Sequence, residues 1–221
     1  MTTTNNSRNI YIVGAGGFGR EVLCLINRVN QNAQRLVWCV KGFVDYSSKE
    51  TIVANLPVIT DDNLLDMTEP VNVALAVGNP SIRSKIIGRY KEAGHIRFPN
   101  LIDPKALIMD ETSVSFGHGN IICARTVFTT DIRIGDYNIF NLSCTVGHDV
   151  FIGNNNIVNP SVNISGEVTI GNSCLIGTGA QVLQQLSIGN HVAVGAGAVI
   201  VKNTGSDVTV VGVPANPLQK P

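Results

Sequence analysis

The sequence predicts two structural grammars in one chain, a small Rossmann-like α/β domain followed by a solenoid of short flat sides. Three observations carry this. Strand-like and helix-like runs alternate up to about Asn100, a glycine-rich turn follows the first run, and an apolar residue recurs at every sixth position from Phe116 to Ile200. The predicted domains are residues 1–100 and 101–221.

In the first part, "NIYIVG" is a β-branched run that reads as a strand. From Phe18 to Asn30 the residues Val22, Leu23, Leu25, Ile26 and Val29 fall near helical spacing. A strand "LVWCVKGFVD", a short helical piece "DDNLLDM", a strand "VNVALAVG" and a helix "PSIRSKIIGRYKEAG" follow. This alternation is the pattern of a parallel sheet with crossover helices. Between the first strand and helix lie Gly14, Gly16, Gly17 and Gly19. They permit a tight turn, and a helix N-terminus offers free N–H groups and a positive dipole end to phosphate.

In the second part, stepping by six from Phe116 meets fifteen residues, every one apolar. Glycine follows eight of them, at 117, 135, 147, 153, 171, 177, 189 and 195. A six-residue period fits neither a helix nor an amphipathic strand. It fits a solenoid in which each hexad is one flat side, with the apolar residue inward and the small residue at the tight corner.

Composition narrows the function classes. Lys plus Arg equals Asp plus Glu at 16 each, so no net charge draws the chain to nucleic acid or anionic membrane. The N-terminus lacks a basic stretch followed by a long apolar region, and no apolar run is long enough to span a bilayer. A soluble, cytoplasmic protein is expected. Cys24, Cys39, Cys123, Cys144 and Cys174 show no CxxC pairing and read as reduced core thiols.

The hexad pattern resembles the repeat of the left-handed parallel β-helix acyltransferases, which place three hexads in each triangular coil. That resemblance implies five coils, a homotrimer and active sites between subunits. The segment "GVPA" near the end, Gly212 to Ala215, resembles the family's segment after the last coil. With eighteen residues per coil, position 166 stacks above position 148. His148 follows the inward Val146 by two, at a corner, and directly precedes Asp149; Gly166 lies above it and leaves its N–H open. A histidine base beside a backbone donor is the arrangement acyl transfer needs. His148 takes a proton from the incoming amine or hydroxyl, Asp149 favours the imidazolium, and Gly166 N–H holds the oxyanion. His95, His118 and His191 read as structural.

Together, "IYIVGAGGFG", "GHDVFIG" and "GVPA" resemble the NeuD and PglD type of bacterial sugar acetyltransferases over nearly the whole chain. The resemblance implies a catalytic His148 with Asp149 as helper and Gly166 at the oxyanion. It implies acetyl-CoA as co-substrate, contacted at Ile157, Gly166, Thr178 and Ala196, and no metal. It places a UDP-linked sugar at Gly16, Gly17, Phe18, Asp45, Tyr46 and Gly78. The PglD type carries a histidine where this chain has Ile157, so only a backbone contact carries over there. Family members often have an acid where Tyr46 stands and a histidine where Phe18 stands.

Read alone, the glycine fingerprint with Asp45 fits an NAD site; against it, the α/β part spans about 100 residues, roughly half of a full dinucleotide domain. Asn79 and Arg83, in "GNPSIR", are either phosphate contacts or a helix cap and an exposed charge. The leading expectation is N-acetylation of a nucleotide-linked amino sugar in surface glycan synthesis. O-acetylation of sialic acid or a similar sugar uses the same base. A non-catalytic nucleotide-sugar scaffold, and a zinc site built from His118, His148 and His191, are the other classes; the histidines phase to different sides or lie about four coils apart.

Overall fold

A computed structural model describes residues 8–45 and 49–218, which form two units: 8–45, 49–78 and 82–104 make the first, and 79–81 with 105–218 the second. The first unit begins with β1 (Arg8–Val13), whose Ile10 and Ile12 are fully buried. Then come α1 (Gly17–Asn32), β2 (Trp38–Val44), β3 (Ile52–Val53), β4 (Leu56–Ile59), α2 (Asp61–Leu65), β5 (Val71–Leu75), α3 (Pro80–Glu92) and β6 (Ile96–Arg97). The sheet order is β3-β4-β2-β1-β5-β6, parallel except for the β3–β4 pair. β1 therefore lies between β2 and β5, and the chain leaves its carboxyl end for α1. Such a reversal of strand order opens a crevice at the carboxyl ends of the strands.

The β3–β4 hairpin has no counterpart in the sequence reading. Its two-residue turn is Ala54–Asn55, with φ 49 and 61. Two successive positive φ angles give the primed turn that matches strand twist, but Ala-Asn is not the Asn-Gly pair by which such turns are recognised.

In the second unit, strands of two residues are joined by corners. Partners recur every eighteen residues, as in Ile121↔Ile139 and Ile139↔Ile157, so three parallel sheets form the three sides of each coil. Fourteen of the fifteen predicted inward residues are buried, and Phe116 is half-buried. Each buried Val or Ile contributes about 1.5–3 kcal/mol, which a two-residue strand cannot supply from its own hydrogen bonds. Phe116, Phe128 and Phe140 meet edge to face, with ring centroids 5.1 and 5.0 Å apart. The period breaks at both ends: Leu107 pairs with Val127, and Ala193 with Thr209. The first of these shifts, across the turn at Asp110, hides the strand Leu107–Ile108 from a strict step of six.

The corners depart from expectation in one respect. The residue that turns the chain lies three positions after each inward residue from Phe116 to Val194 and takes positive φ, every sixth residue from Gly119 to Gly197. Only Gly119, Gly179 and Gly197 of that series are glycine; the rest include Asp131, Asn155, Ser161 and Asp149, small polar residues that tolerate this conformation. The glycines directly after inward residues serve another need. A Cβ on Gly153 would fall 2.7 Å from the Gly171 carbonyl oxygen, and one on Gly171 would fall 2.9 Å from that of Gly189. They let successive coils approach.

The space so left is filled by side chains from the next coil. His118, Asp136, Asn154 and Asn172 donate their backbone N–H to the side chains of Asp136, Asn154, Asn172 and Asn190, at 2.7–2.8 Å. A second ladder is buried: Asn120, Asn138 and Asn156 accept the N–H of the next member at 2.8–2.9 Å. Their amides donate to Gly135, Gly153 and Gly171 carbonyls. Cys174 ends the series, its thiol donating to the Gly189 carbonyl at 3.1 Å in place of an amide. Burial pushes the Cys144 thiol up to about 11 and raises that of Cys174, so both are protonated packing groups. Cys24, by contrast, is exposed on α1. Among the described residues no helix is long and apolar enough to cross a membrane.

Phe128→Ala should lower stability by about 3–5 kcal/mol through the cavity it leaves. Gly153→Ala should cost about 1–3 kcal/mol by overpacking, although alanine ordinarily suits a glycine with negative φ. Urea denaturation of each variant measures both effects.

Candidate active site

His148 stands at the corner after Val146, and its position follows from the coil. Val146 is buried, Gly147 stacks, and Asp149 turns the chain at φ 56. The turn brings the Asp149 carboxylate back to its neighbour, so that Oδ2 lies 2.8 Å from His148 Nδ1. Both side chains are more than half exposed, at 57% and 59%. A pair so wet is worth about 0–1 kcal/mol in stability, so its effect is orientation. With the proton on Nδ1 and directed at the carboxylate, Nε2 is left as the accepting nitrogen.

Gly166 sits one coil on, as counted from the sequence. A Cβ there would meet Nε2 at 2.5 Å and Cε1 at 2.6 Å, so the imidazole lies directly over Gly166 and any side chain there would displace it. The Gly166 carbonyl accepts the Gln185 N–H, and Glu167 N–H reaches the His148 carbonyl. Gly166 N–H donates to no group among the described residues. Gly147 keeps it open, since a Cβ on Gly147 would fall 2.7 Å from that nitrogen. The contrast with the Asp136–Asn154–Asn172 corner is direct: there a side chain from the next coil takes each N–H, whereas Gln184, one coil beyond Gly166, is exposed and takes none.

The same device recurs at another corner. A Cβ on Gly177 would fall 2.6 Å from Ala196 N, and the N–H groups of Thr178 and Ala196 have no partner among the described residues. Both residues are exposed. Ile157 differs: it is buried at 3% exposure, and its N–H is already bonded to the Cys174 carbonyl at 2.9 Å. It offers no free donor.

His191 makes an instructive comparison. Its Nδ1 lies 3.0 Å from Asp207 Oδ1, repeating the His148 pairing, but the residue stacked on it is Asp207 and not a glycine. The dyad alone therefore does not make the site. His95 is held by the Ala93 and Leu64 carbonyls, and no three His, Cys, Asp or Glu side chains come together among the described residues.

In the first unit, Gly14 has φ +102 and its missing Cβ would strike the Ala76 carbonyl; Gly19 packs on the Gly14 carbonyl. These two glycines seat α1 on the sheet. Gly16 and Gly17 face open space, Phe18 is half-buried, and Gly16 caps α1 with no side-chain bond and no acid in the first turn. α2 differs, with a Thr60–Asn63 capping box and two acids. Asp45 accepts the Ala15 N–H at 3.0 Å, which braces the loop, and Gly78 faces open space. Tyr46 lies outside the described residues.

Arg83 is neither a phosphate contact nor an exposed charge. It is fully buried, its Nη1 donating to the Leu75 and Val77 carbonyls, and burial pushes it down to about 9. Asn79 accepts the Ser81 N–H at the start of α3. Beside them, a cleft of about 580 Å³ is lined by Gly14, Asp45, Asp61 and Val77, with Ile82, Lys85, Ile86 and Arg89 along one face of α3. The sequence reading missed that face, although its spacing of three and four is a helical stripe.

A solenoid of stacked hexads with an open backbone donor under a histidine defines a left-handed β-helix acyltransferase. The profile of the PglD N-terminal domain matches residues 9–90, and that of the bacterial transferase hexapeptide (six repeats) matches residues 167–202. The acetyltransferase domain of PglB from Neisseria gonorrhoeae FA1090, solved with acetyl coenzyme A, is 32% identical with a TM-score of 0.84, covering 96% of this chain and 100% of that one. WeeI from Acinetobacter baumannii AYE is 30% identical with a TM-score of 0.85 over the same shares. PerB from Caulobacter crescentus, solved with CoA and GDP-perosamine, is 28% identical with a TM-score of 0.84, covering 96% and 97%. A comparison with curated protein sequences found no match. The chain belongs to the NeuD/PglD-type family of sugar acetyltransferases.

Gly166→Ala keeps the backbone N–H but should displace the His148 ring and lower activity at least about 100-fold, the size of losing a general base, with little change in melting temperature. Arg83→Ala should instead destabilise the fold by about 3 kcal/mol, as two buried carbonyls lose their donor. Steady-state kinetics beside thermal unfolding separates the two.

Proposed function

We propose that this protein transfers the acetyl group of acetyl-CoA to the amino group of a nucleotide-linked amino sugar, with UDP as the expected nucleotide, in the cytoplasmic synthesis of a surface glycan. The observation that carries it is the His148 ring, tied at Nδ1 to Asp149 and lying over Gly166. The sugar amine loses a proton to Nε2 as its nitrogen attacks the thioester carbonyl. The carbonyl oxygen gains negative charge and accepts the open Gly166 N–H. The C–S bond then breaks, the imidazolium returns its proton to the departing thiolate, and the products are the N-acetyl sugar and CoA. Asp149 stabilises the imidazolium in between.

Amine attack is favoured by the relatives: one close in structure is a perosamine N-acetyltransferase solved with CoA and GDP-perosamine. That ligand also makes the nucleotide a variable to test. Thr178 and Ala196, with their open N–H groups, suit the amide carbonyls of the pantetheine arm. We place the working form in a homotrimer, with sites between subunits, as the hexad resemblance implies.

His148→Ala should lower CoA release by about 10²–10⁴-fold, measured with acetyl-CoA and UDP-, dTDP- and GDP-linked amino sugars. Turnover that survives the substitution removes His148 from its role. Absence of release with every sugar, from wild-type protein that binds nucleotide, supports a scaffold instead.

A further inference from the structure

The cleft at the carboxyl ends of β1, β2 and β5 has an uneven charge balance. Four charged residues line it: Asp45, Asp61, Lys85 and Arg89. Arg89 is already matched, donating from Nη1 to Asp61 at 3.3 Å and from Nη2 to Asp62 at 2.6 Å. The second Asp61 oxygen accepts the Tyr90 hydroxyl at 2.5 Å, which fixes that carboxylate between α2 and α3. Asp45 receives the Ala15 N–H. On the same helix, Arg83 is spent inside the fold on the Leu75 and Val77 carbonyls. Lys85 is exposed and makes no hydrogen bond or ion pair with any described residue. Of the cations that α3 carries between Ile82 and Arg89, it alone is uncommitted, and it shares the cleft with Gly14 of the glycine turn.

We infer that Lys85 is a substrate-binding residue that recognises the diphosphate of the nucleotide-linked sugar. This rests on the proposed function above. The apolar wall of Val13, Val44, Val77, Ile82 and Ile86 suits the face of a base, which leaves polar recognition to the few charged groups at the rim. An ammonium on a flexible stem binds phosphate as a point charge and needs no fixed fork geometry. Asp45 and Asp61 disfavour an anion placed against their side of the cleft, so Lys85 also sets which way the diphosphate runs.

The test measures binding of UDP, GDP, dTDP and the matching nucleosides to wild type, Lys85→Gln and Lys85→Arg by calorimetry, with kinetics alongside. Lys85→Gln should weaken the preferred diphosphate at least about tenfold, the loss of one charge-assisted contact. It should leave the nucleoside unchanged and flatten the salt dependence, and arginine should restore most of the affinity. In turnover, KM for the nucleotide sugar should rise by a similar factor while KM for acetyl-CoA and kcat hold. Equal loss for nucleoside and diphosphate overturns the assignment, because Lys85 then acts on the base. Equal binding by wild type and Lys85→Gln overturns it too. If wild type binds none of the three diphosphates, the nucleotide-sugar reading itself fails.

Discussion

Close approach between successive coils is the constraint on which the solenoid depends. Strands of two residues have too few hydrogen bonds to hold alone, so each coil must lie at the inter-strand distance of ~4.8 Å from the next. At the glycine positions this leaves no room for a Cβ, as the contacts between Gly135, Gly153 and Gly171 make plain. The same constraint that stabilises the core also determines what each corner exposes. Where the following coil supplies Asp136, Asn154 or Asn172, the donors of the corner are consumed. After Gly166 the following coil supplies Gln184, which takes no such bond, so the Gly166 N–H remains, and His148 lies across it. The open N–H groups of Gly166, Thr178 and Ala196 are gaps in a bonding pattern that the Asp136–Asn190 corner fills.

Much of this was legible in advance, because a period of six is set by geometry that every coil repeats. The fifteen apolar residues, the placement of His148 at a corner and the stacking of Gly166 on it all come from counting. Counting could not say which residue turns the corner. Glycine after the inward residue suggested itself, yet the turn falls three positions on, at residues such as Asp149 and Asn155. Backbone angle and close packing both select for small residues, and only coordinates separate the two demands. The shifts at Leu107 and Thr209 were hidden for a related reason, since a register change is invisible to a rule that assumes fixed spacing.

The α/β unit was less transparent. Its glycine turn was plain, but the roles of Arg83 and Lys85 are reversed from what their setting implies. Arg83 follows a turn motif and invites a phosphate, but two carbonyls at the end of β5 claim it. Lys85 carries no motif, and it is the charge left available. A sequence gives the charge of a side chain but not whether its partners are already chosen. Long-range pairs such as Tyr90 with Asp61 decide that, and no local pattern announces them. Asp45 likewise combines two duties, since the carboxylate that lines the cleft also braces Ala15 in the turn.

The stacking of Gly166 on His148 has a consequence for how this chain can change length. The two residues are held together by one full coil of backbone, so removing or adding a single residue between them would exchange inward for outward positions through the remaining coils. Whole coils can be gained or lost above Gly166 or below His148 without disturbing the pair, as in other linear arrays. The stretch from 148 to 166 thus behaves as a fixed ruler inside an otherwise extensible rod.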